Sequence, residues 1–350
     1  MRLVKLEDIK GGEELARAIL TEEYQELLSE GTKLKIDYIP KLIDLGITEV
    51  FIVDDEVNAE DVEILKEDVT KKCREKVKEI ISRHTYNQNQ DMIEISATAD
   101  SIIDNIMEEE EVVQQIFDIK QRSADIYEHS ISTCSLAMLV SLKIGVDKKT
   151  AHDIGVGCLL HDLGLRYITV DFENKQIDDM TDKDLEEYKK HPIYGYSAVK
   201  NEKWLSDVSK EIILYHHERL KGTGYPLHLA EIPEPIMIAA ICDFFDESIC
   251  GIGHIRLKVH EVVEYLKIYK GIAFDEKIVD ELLEFTAVYP SKSKVITSDK
   301  DLAVVIRQNK GFPERPVLQL LANKDGIKYD KPVIMDLLEN NSVFIEKVIN

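Results

Sequence analysis

The sequence predicts a mainly α protein: a helical bundle carrying a small N-terminal α/β module and a C-terminal β-rich appendage. Three observations carry that reading. From about Ile93 to Val288, apolar residues recur at helical spacing with few strand signals. The first 55 or so residues instead mix short strand-like runs, Leu3 to Leu6 and Glu49 to Val53, with Gly11-Gly12 and Gly31. After Tyr289-Pro290 the periodicity changes again, to short alternating runs separated by turn residues.

Taken in order, residues 1–58 form the small module, with a helix near Ile39 to Leu45 that Gly46 would end. The module has an acidic tail, Asp54-Asp55-Glu56, and no His, so it reads as a docking or sensory module. From Glu60 to about His84, charges alternate with apolar residues at helical spacing (Val62, Ile64-Leu65, Val69, Val77, Ile80-Ile81). That is the pattern of an exposed connecting helix, and the polar segment Thr85 to Asp91 reads as a break within a connector spanning residues 59–115. Residues 116–290 are expected to form the main domain, with helices over Asp125 to Ile144, Lys149 to Asp162, Pro192 to Lys200, Asp207 to His217, Pro235 to Phe245 and Val259 to Tyr269. Pro192 and Pro235 fall near N1 positions, where a missing N–H costs nothing. In the appendage, residues 291–350, Val295 to Thr297 and Leu302 to Arg307 read as a hairpin around Ser298-Asp299-Lys300, and Val317 to Leu321 as a further strand.

Composition narrows the function. With 44% hydrophobic and 32% charged residues, the 350-residue chain can bury sizeable cores. Its net charge of -23 repels polymeric nucleic acid and anionic membrane, while a small anionic substrate is acceptable where bound cations reverse the local field. The five cysteines include no C-x-x-C pair and read as reduced thiols in the cytoplasm. No window approaches 18 consecutive apolar residues, so no membrane span is expected.

The chemistry concentrates between His161 and Asp243. His161-Asp162, His191, His216-His217 and Asp243 are groups of metal-ligand types about 25 residues apart, far enough for each to sit on its own helix and converge. A second His-Asp pair, His152-Asp153, lies nine residues before the first. Nine steps of about 100° place the pairs on opposite helix faces, and the apolar Cys158-Leu159-Leu160 marks His161-Asp162 as the inward pair. Asp125 and His129, at i and i+4, share a face and either ligate an ion or form a surface pair. His191 alone would read as a surface residue at a helix start. His216-His217 ends an apolar run and cannot face solvent with both rings, so one is a ligand or a core histidine bonded to a carbonyl. Asp243, on the apolar helix Ile238 to Ile241, needs a cation.

Residues 125 to about 290 resemble the HD-GYP branch of the HD-domain phosphohydrolase superfamily. The resemblance rests on His129-Ser130, His161-Asp162-Leu163-Gly164, His191 to Gly195, His216 to Arg219, Gly222 to Pro226 and Asp243, in that order. It implies an HD-domain helical bundle that hydrolyses cyclic di-GMP, to linear pGpG or on to GMP, at two or three divalent ions. Fe or Mn are the first expectation, with Mg, Ni or Zn as alternatives. Carried over residue by residue, His129, His161, Asp162, His191, His216, His217 and Asp243 would be ligands, with Asp125 where some relatives hold a third ion. His161 and Asp162 would be central to catalysis. The loop Gly222-Thr223-Gly224-Tyr225-Pro226 would border the site and is linked in the family to contacts with diguanylate cyclases; a homodimer is also compatible. Arg166, Lys221, Gly224, Tyr225 and Pro226 are the expected substrate contacts. The chemistry agrees: cations supply a nucleophile at neutral pH and stabilise phosphoryl charge, so an acidic protein needs no basic groove.

The pattern departs at the phosphate-gripping positions. Relatives carry Lys directly after His-Asp-x-Gly, where this chain has Leu165 followed by Arg166. The residue before the glycine loop is usually acidic and here is Lys221. Past Asp243, Glu247 to Arg256 stands where relatives often carry Arg and Tyr. The alternative function is accordingly a non-catalytic scaffold that binds metal and a dinucleotide or partner protein.

Overall fold

The computed structural model describes residues 2–16, 18–20, 26–45, 47, 49–53, 62–83, 94–108, 125–170, 172 and 177–349. Gly46, the acidic tail Asp54 to Glu56 and the break at Thr85 to Asp91 lie outside them. The described chain is mainly helical between Glu67 and Phe285, and its strands lie toward the two ends, as the periodicity predicts. It divides into two compact units.

One unit gathers residues 1–61, 290–308 and 315–350. Near the N-terminus, β1 (Arg2–Lys5) pairs antiparallel with β4 (Glu49–Ile52), β2 (Ile19–Leu20) pairs with β3 (Glu26–Leu28), and α1 (Ile39–Asp44) lies between β3 and β4 in sequence. Leu6, Leu15, Leu34, Leu42, Val50 and Ile52 form its core. Toward the C-terminus, β5 (Lys294–Thr297), β6 (Leu302–Arg307), β7 (Val317–Ala322), β8 (Lys328–Asp336) and β9 (Ile345–Ile349) make an antiparallel sheet in the order β8-β7-β6-β5-β9. The expected hairpin is present, with Ile296 opposite Leu302. Alternation fixes the sheet faces: Val295 and Thr297 point inward while Lys294 and Ile296 are half-exposed.

The other unit, residues 62–289 with 309–314, holds α2 (Glu67–Arg83), α3 (Glu94–Glu108) and the bundle proper. At its centre is α4 (Ile126–Ile144), buried almost continuously from His129 to Ser141, which is what an all-round apolar helix requires. Asp125 caps it by accepting from Glu128 N, and Gly145 ends it in the left-handed region, φ 83°. Then follow α5 (Lys148–Leu160), α6 (Asp182–Tyr188), α7 (His191–Val199), α8 (Asp207–Tyr215), α9 (Glu234–Cys250), α10 (Val259–Tyr269) and α11 (Glu276–Phe285). α4 packs against α5 and α9, and α5 against α8.

Two sequence expectations change. The segment predicted as an exposed connecting helix is amphipathic: Cys73, Val77, Ile80 and Ile81 of α2 are buried in the same core as α4. Its charges lie on the outer face apart from Arg74, which turns to Asp125 at the start of α4. The predicted helix ending at Asp162 stops at Leu160 and tightens into a 3-10 segment over His161–Tyr167.

That tight segment is locked to α7 through two glycines. A Cβ on Gly164 would sit 1.8 Å from the His191 carbonyl oxygen and 2.7 Å from Gly195 N. The glycines of His-Asp-x-Gly and His-Pro-x-x-Gly therefore let two backbones touch, setting His161 and His191 side by side. Gly164→Ala must push them apart, and overpacking of this kind costs roughly 1–3 kcal/mol. Chemical denaturation should show that loss, with weaker metal retention; unchanged stability would mean the backbones separate freely.

Candidate metal centre

Each donor is delivered by a helix end or a buried helix face. His129 comes one turn into α4, His161 and Asp162 open the 3-10 segment, His191 starts α7, His216 and His217 follow the last residue of α8, and Asp243 lies mid-way along α9. All are buried except Asp162, which is mostly so. The structure brings together every residue of this set.

The rings are oriented by local backbone bonds. His161 Nδ1 lies 2.6 Å from Cys158 O, His191 Nδ1 2.9 Å from Tyr188 O, and His216 Nδ1 3.2 Å from both Ile212 O and Ile213 O. A carbonyl accepts only, so each Nδ1 must carry the proton and each Nε2 is left facing the centre. His129 differs in partner only, its Nδ1 lying 2.7 Å from Asp246 Oδ2. Such bonds are the usual means of fixing the tautomer of a ligating imidazole.

The inward atoms crowd. Nε2 of His129 is 3.2 Å from that of His161, and Nε2 of His191 is 3.1 Å from that of His216. Two lone pairs facing each other repel unless a proton or a cation lies between them. Ligands bonded at ~2.1 Å to one tetrahedral or octahedral ion would be about 3.0–3.4 Å apart, which matches. The carboxylates interleave: Asp243 Oδ1 lies 3.0 Å from His129 Nε2 and 3.2 Å from His161 Nε2. Asp162 Oδ2 is 3.3 Å from His161, while its Oδ1 is 3.5 Å from His191 and 3.9 Å from His216. Asp162 thus has one oxygen toward each imidazole pair. Asp243 Oδ2 is buried and accepts no hydrogen bond among the described residues. An orphaned carboxylate oxygen beside paired imidazole lone pairs is a donor set that fits divalent cations.

Charges shift accordingly. Burial presses the His129 pKa down, but bonds to Asp243 and Asp246 outweigh it and lift it to about 9. His161 is likewise raised well above the ordinary range, burial being overruled by Asp162 and Asp243. Burial, then the neighbouring His161, drops His216 to about 3. Burial would raise the Asp162 carboxyl, yet His161, His191 and His129 hold it far below the carboxylate range. Without metal, protons on His129 and His161 supply the positive charge the acids need.

Asp125 requires a correction. It shares no helix face with His129, because as N-cap it has extended backbone, φ -141°, ψ 111°. Its carboxylate is engaged by Arg74, Nε to Oδ1 at 3.2 Å and Nη2 to Oδ2, and by Glu128 N. His152, the rejected pair's imidazole, is partly buried against Ser96, 3.1 Å away.

Around the mouth, Tyr225 stacks on His217 with ring centroids 4.6 Å apart. A Cβ on Gly224 would lie 2.3 Å from His217 O and Arg219 N, so this glycine allows the loop to reach the histidines. Pro226 is half-buried, and Lys221 is exposed on a left-handed turn, φ 61°. Leu165, only 3% exposed, is core, and Arg166 Nη2 reaches Ser82 O at 3.4 Å. The sequence reading missed Glu218, whose buried carboxylate accepts from Leu227 N and Leu229 N at 2.6 and 3.0 Å and so anchors the loop. It also missed Asp246 and Glu247, although their i+3 and i+4 spacing from Asp243 on an apolar helix was a usable signal. Burial, then the Asp243 carboxylate, pushes Glu247 up to about 8. Lys189, exposed, lies 5.6 Å from the Tyr225 ring centroid.

Known proteins resemble this chain. Residues 111–278 match the HD domain family model, and residues 295–350 match the KOW domain associated with HD domains. The chain is 23% identical over 222 residues to the cyclic di-GMP phosphodiesterase PA4108 of Pseudomonas aeruginosa, covering 63% of this chain and 53% of that protein. It is 36% identical over 103 residues to the 3'3'-cGAMP-specific phosphodiesterase 2 of Vibrio cholerae, covering 27% of this chain and 19% of that one. The chain thus spans about half, or less, of the length of these relatives. A solved HDG"Y"P protein from Bdellovibrio bacteriovorus shares the fold at TM-score 0.55 and 18% identity, covering 80% of this chain and 97% of that one. With the His-Asp set gathered at its helix ends and the family model matched across the same residues, residues 111–278 form an HD domain, and the chain is similar to HD-GYP proteins and cyclic di-GMP phosphodiesterases.

Proposed function

We propose that the chain hydrolyses a phosphodiester bond of a cyclic dinucleotide, with cyclic di-GMP as the first substrate and linear pGpG or GMP as products. The observation that carries this is the convergence of four Nε2 atoms, from His129, His161, His191 and His216, on the two oxygens of Asp162 and on Asp243. His129, His161 and Asp243 would hold one divalent ion, and His191, His216 and His217 another. Fe or Mn suits the mixed imidazole and carboxylate set. Bound cations would supply a nucleophile at neutral pH and neutralise charge on the phosphoryl oxygens.

The protein's own groups do the rest. Asp162 spans both imidazole pairs and would fix their separation. Tyr225, whose N donates to His217 O and whose ring stacks on His217, presents an aromatic face suited to a nucleobase. Lys189 beside that ring is the exposed cation available to a phosphate, now that Leu165 is core and Arg166 turns to Ser82. Residues 116–290 would be the catalytic domain, with 1–58 regulating or localising it through the connector 59–115, and 291–350 an accessory extension. The Gly222 to Pro226 loop would be the contact for diguanylate cyclase-type partners.

Buried Leu165 favours a second reading, a scaffold that binds metal and dinucleotide without turnover. Anaerobic purification with Mn or Fe, followed by assay of cyclic di-GMP and 3'3'-cGAMP, separates the two. Turnover is expected in the parent, with a loss of at least ~100-fold in His161→Ala and Asp162→Ala. A metal-replete parent that binds cyclic di-GMP without cleaving it would establish the scaffold instead.

Loading should also release protons. Since the carboxylates raise His129 and His161 above the ordinary histidine value in the metal-free chain and ligands must be deprotonated, Mn(II) binding should release at least one proton from this pair at pH 7.5. Calorimetry in buffers of different ionisation enthalpy measures this; zero release would contradict the assignment. On the acid side, His216 has a reference value of 6.5 and a folded value of about 3. Between these, the unfolded chain binds more protons, so this imidazole makes the metal-free protein lose stability as pH falls through that window, by up to ~1.4 kcal/mol per pH unit. Urea midpoints of the stripped chain from pH 7 to 4.5 test the sign.

A further inference from the structure

We propose that Glu247 is an additional cation ligand, closing a carboxylate-rich subsite with His217 and Asp243 in the role the sequence assigned to Asp125. The inference rests on reading the centre as a divalent-cation site. One donor atom from each of the three residues lies within 4.8 Å of the others, and all three residues are buried.

Independent observations point to a ligand there. Among the described residues, Asp243 Oδ2 is fully buried and accepts no hydrogen bond, with His217 Nδ1 3.8 Å away. Among the described residues no side-chain donor bonds the Glu247 carboxylate either, although the residue is only 7% exposed. Two carboxylates one helical turn apart repel each other, and burying each costs several kcal/mol unless a positive charge compensates. Their neighbour on α9 shows what compensation looks like: Asp246 has His129 Nδ1 at 2.7 Å and accepts from the Cys250 thiol at 3.4 Å. The nearby Arg219 guanidinium is committed elsewhere, donating to His216 O and Glu218 O and lying 5.9 and 5.2 Å from the Phe244 and Phe274 ring centroids.

Asp125 is in no position to serve. Its two oxygens face Arg74 and the first turn of α4. Glu247 lies on α9, the helix that already supplies Asp243. With two carboxylates to one imidazole, the subsite is harder than the His191, His216, His217 group and suits Mn(II) or Mg(II) more than a thiophilic ion.

The test counts ions. Full-length chain is stripped with chelator, equilibrated with excess Mn(II), desalted and measured for Mn per chain, alongside Glu247→Gln, Glu247→Asp and Asp125→Asn, with circular dichroism to confirm folding. Glu247→Gln should retain about one ion fewer than the parent, or bind its weakest ion at least ~10-fold less tightly. Glu247→Asp, which keeps the charge, should recover part of the loss, and Asp125→Asn should match the parent. An unchanged count and affinity in Glu247→Gln overturns the proposal and leaves the proposed function standing. A misfolded Glu247→Gln is decided by Glu247→Ala, which removes the carboxylate and whose parental count and affinity would also overturn the proposal. A parent that takes up no Mn(II), Fe(II) or Zn(II) removes the reading of the whole centre.

Discussion

Buried acids and imidazoles that need shared positive charge are the constraint on which the bundle depends. Asp243, Asp246 and Glu247 lie within two turns of α9, inside a core of Ile, Leu, Val and Cys side chains. Such a cluster is tolerable only where proton-bearing rings or cations lie against it. The fold meets this by ending helices at the same place, so that imidazoles just past a helix end bond that helix's last-turn carbonyls with Nδ1 and turn Nε2 inward. The same bonds satisfy carbonyls that a helix end leaves without a partner. Helix termination and ring orientation are therefore one arrangement, seen at His161, His191 and His216.

The glycines belong to that arrangement as much as the histidines. Gly164 and Gly195 bring the 3-10 segment onto α7, and Gly224 brings the loop onto His217. Placing side chains there would move donors by more than a metal bond tolerates. The motif glycines thus act through distance, by allowing backbones to approach.

Much of this was legible in the sequence. Helical periodicity located the bundle, and the apolar run before His161 identified which His-Asp pair faces inward. What periodicity could not reveal was competition for a side chain. Asp125 has a ligand's chemistry and a ligand's spacing, yet capping α4 and pairing with Arg74 take both its oxygens, and Arg74 is distant in sequence. The role of Glu218 within its motif is not legible in the sequence, because nothing there marks the loop amides of Leu227 and Leu229 as its partners. In α2, alternating charges concealed a buried stripe, since only the packing against α4 shows which face is covered.

The Arg74 to Asp125 pair has a mechanical meaning. Asp125 accepts from Glu128 N, and its own carbonyl accepts from His129 N at 2.8 Å, so the guanidinium of α2 grips the turn that carries the first imidazole of the centre. A slide or rotation of α2 could not leave that turn in register. Whatever strains α2 therefore reaches the candidate metal centre through this ion pair as well as through the core that α2 and α4 share.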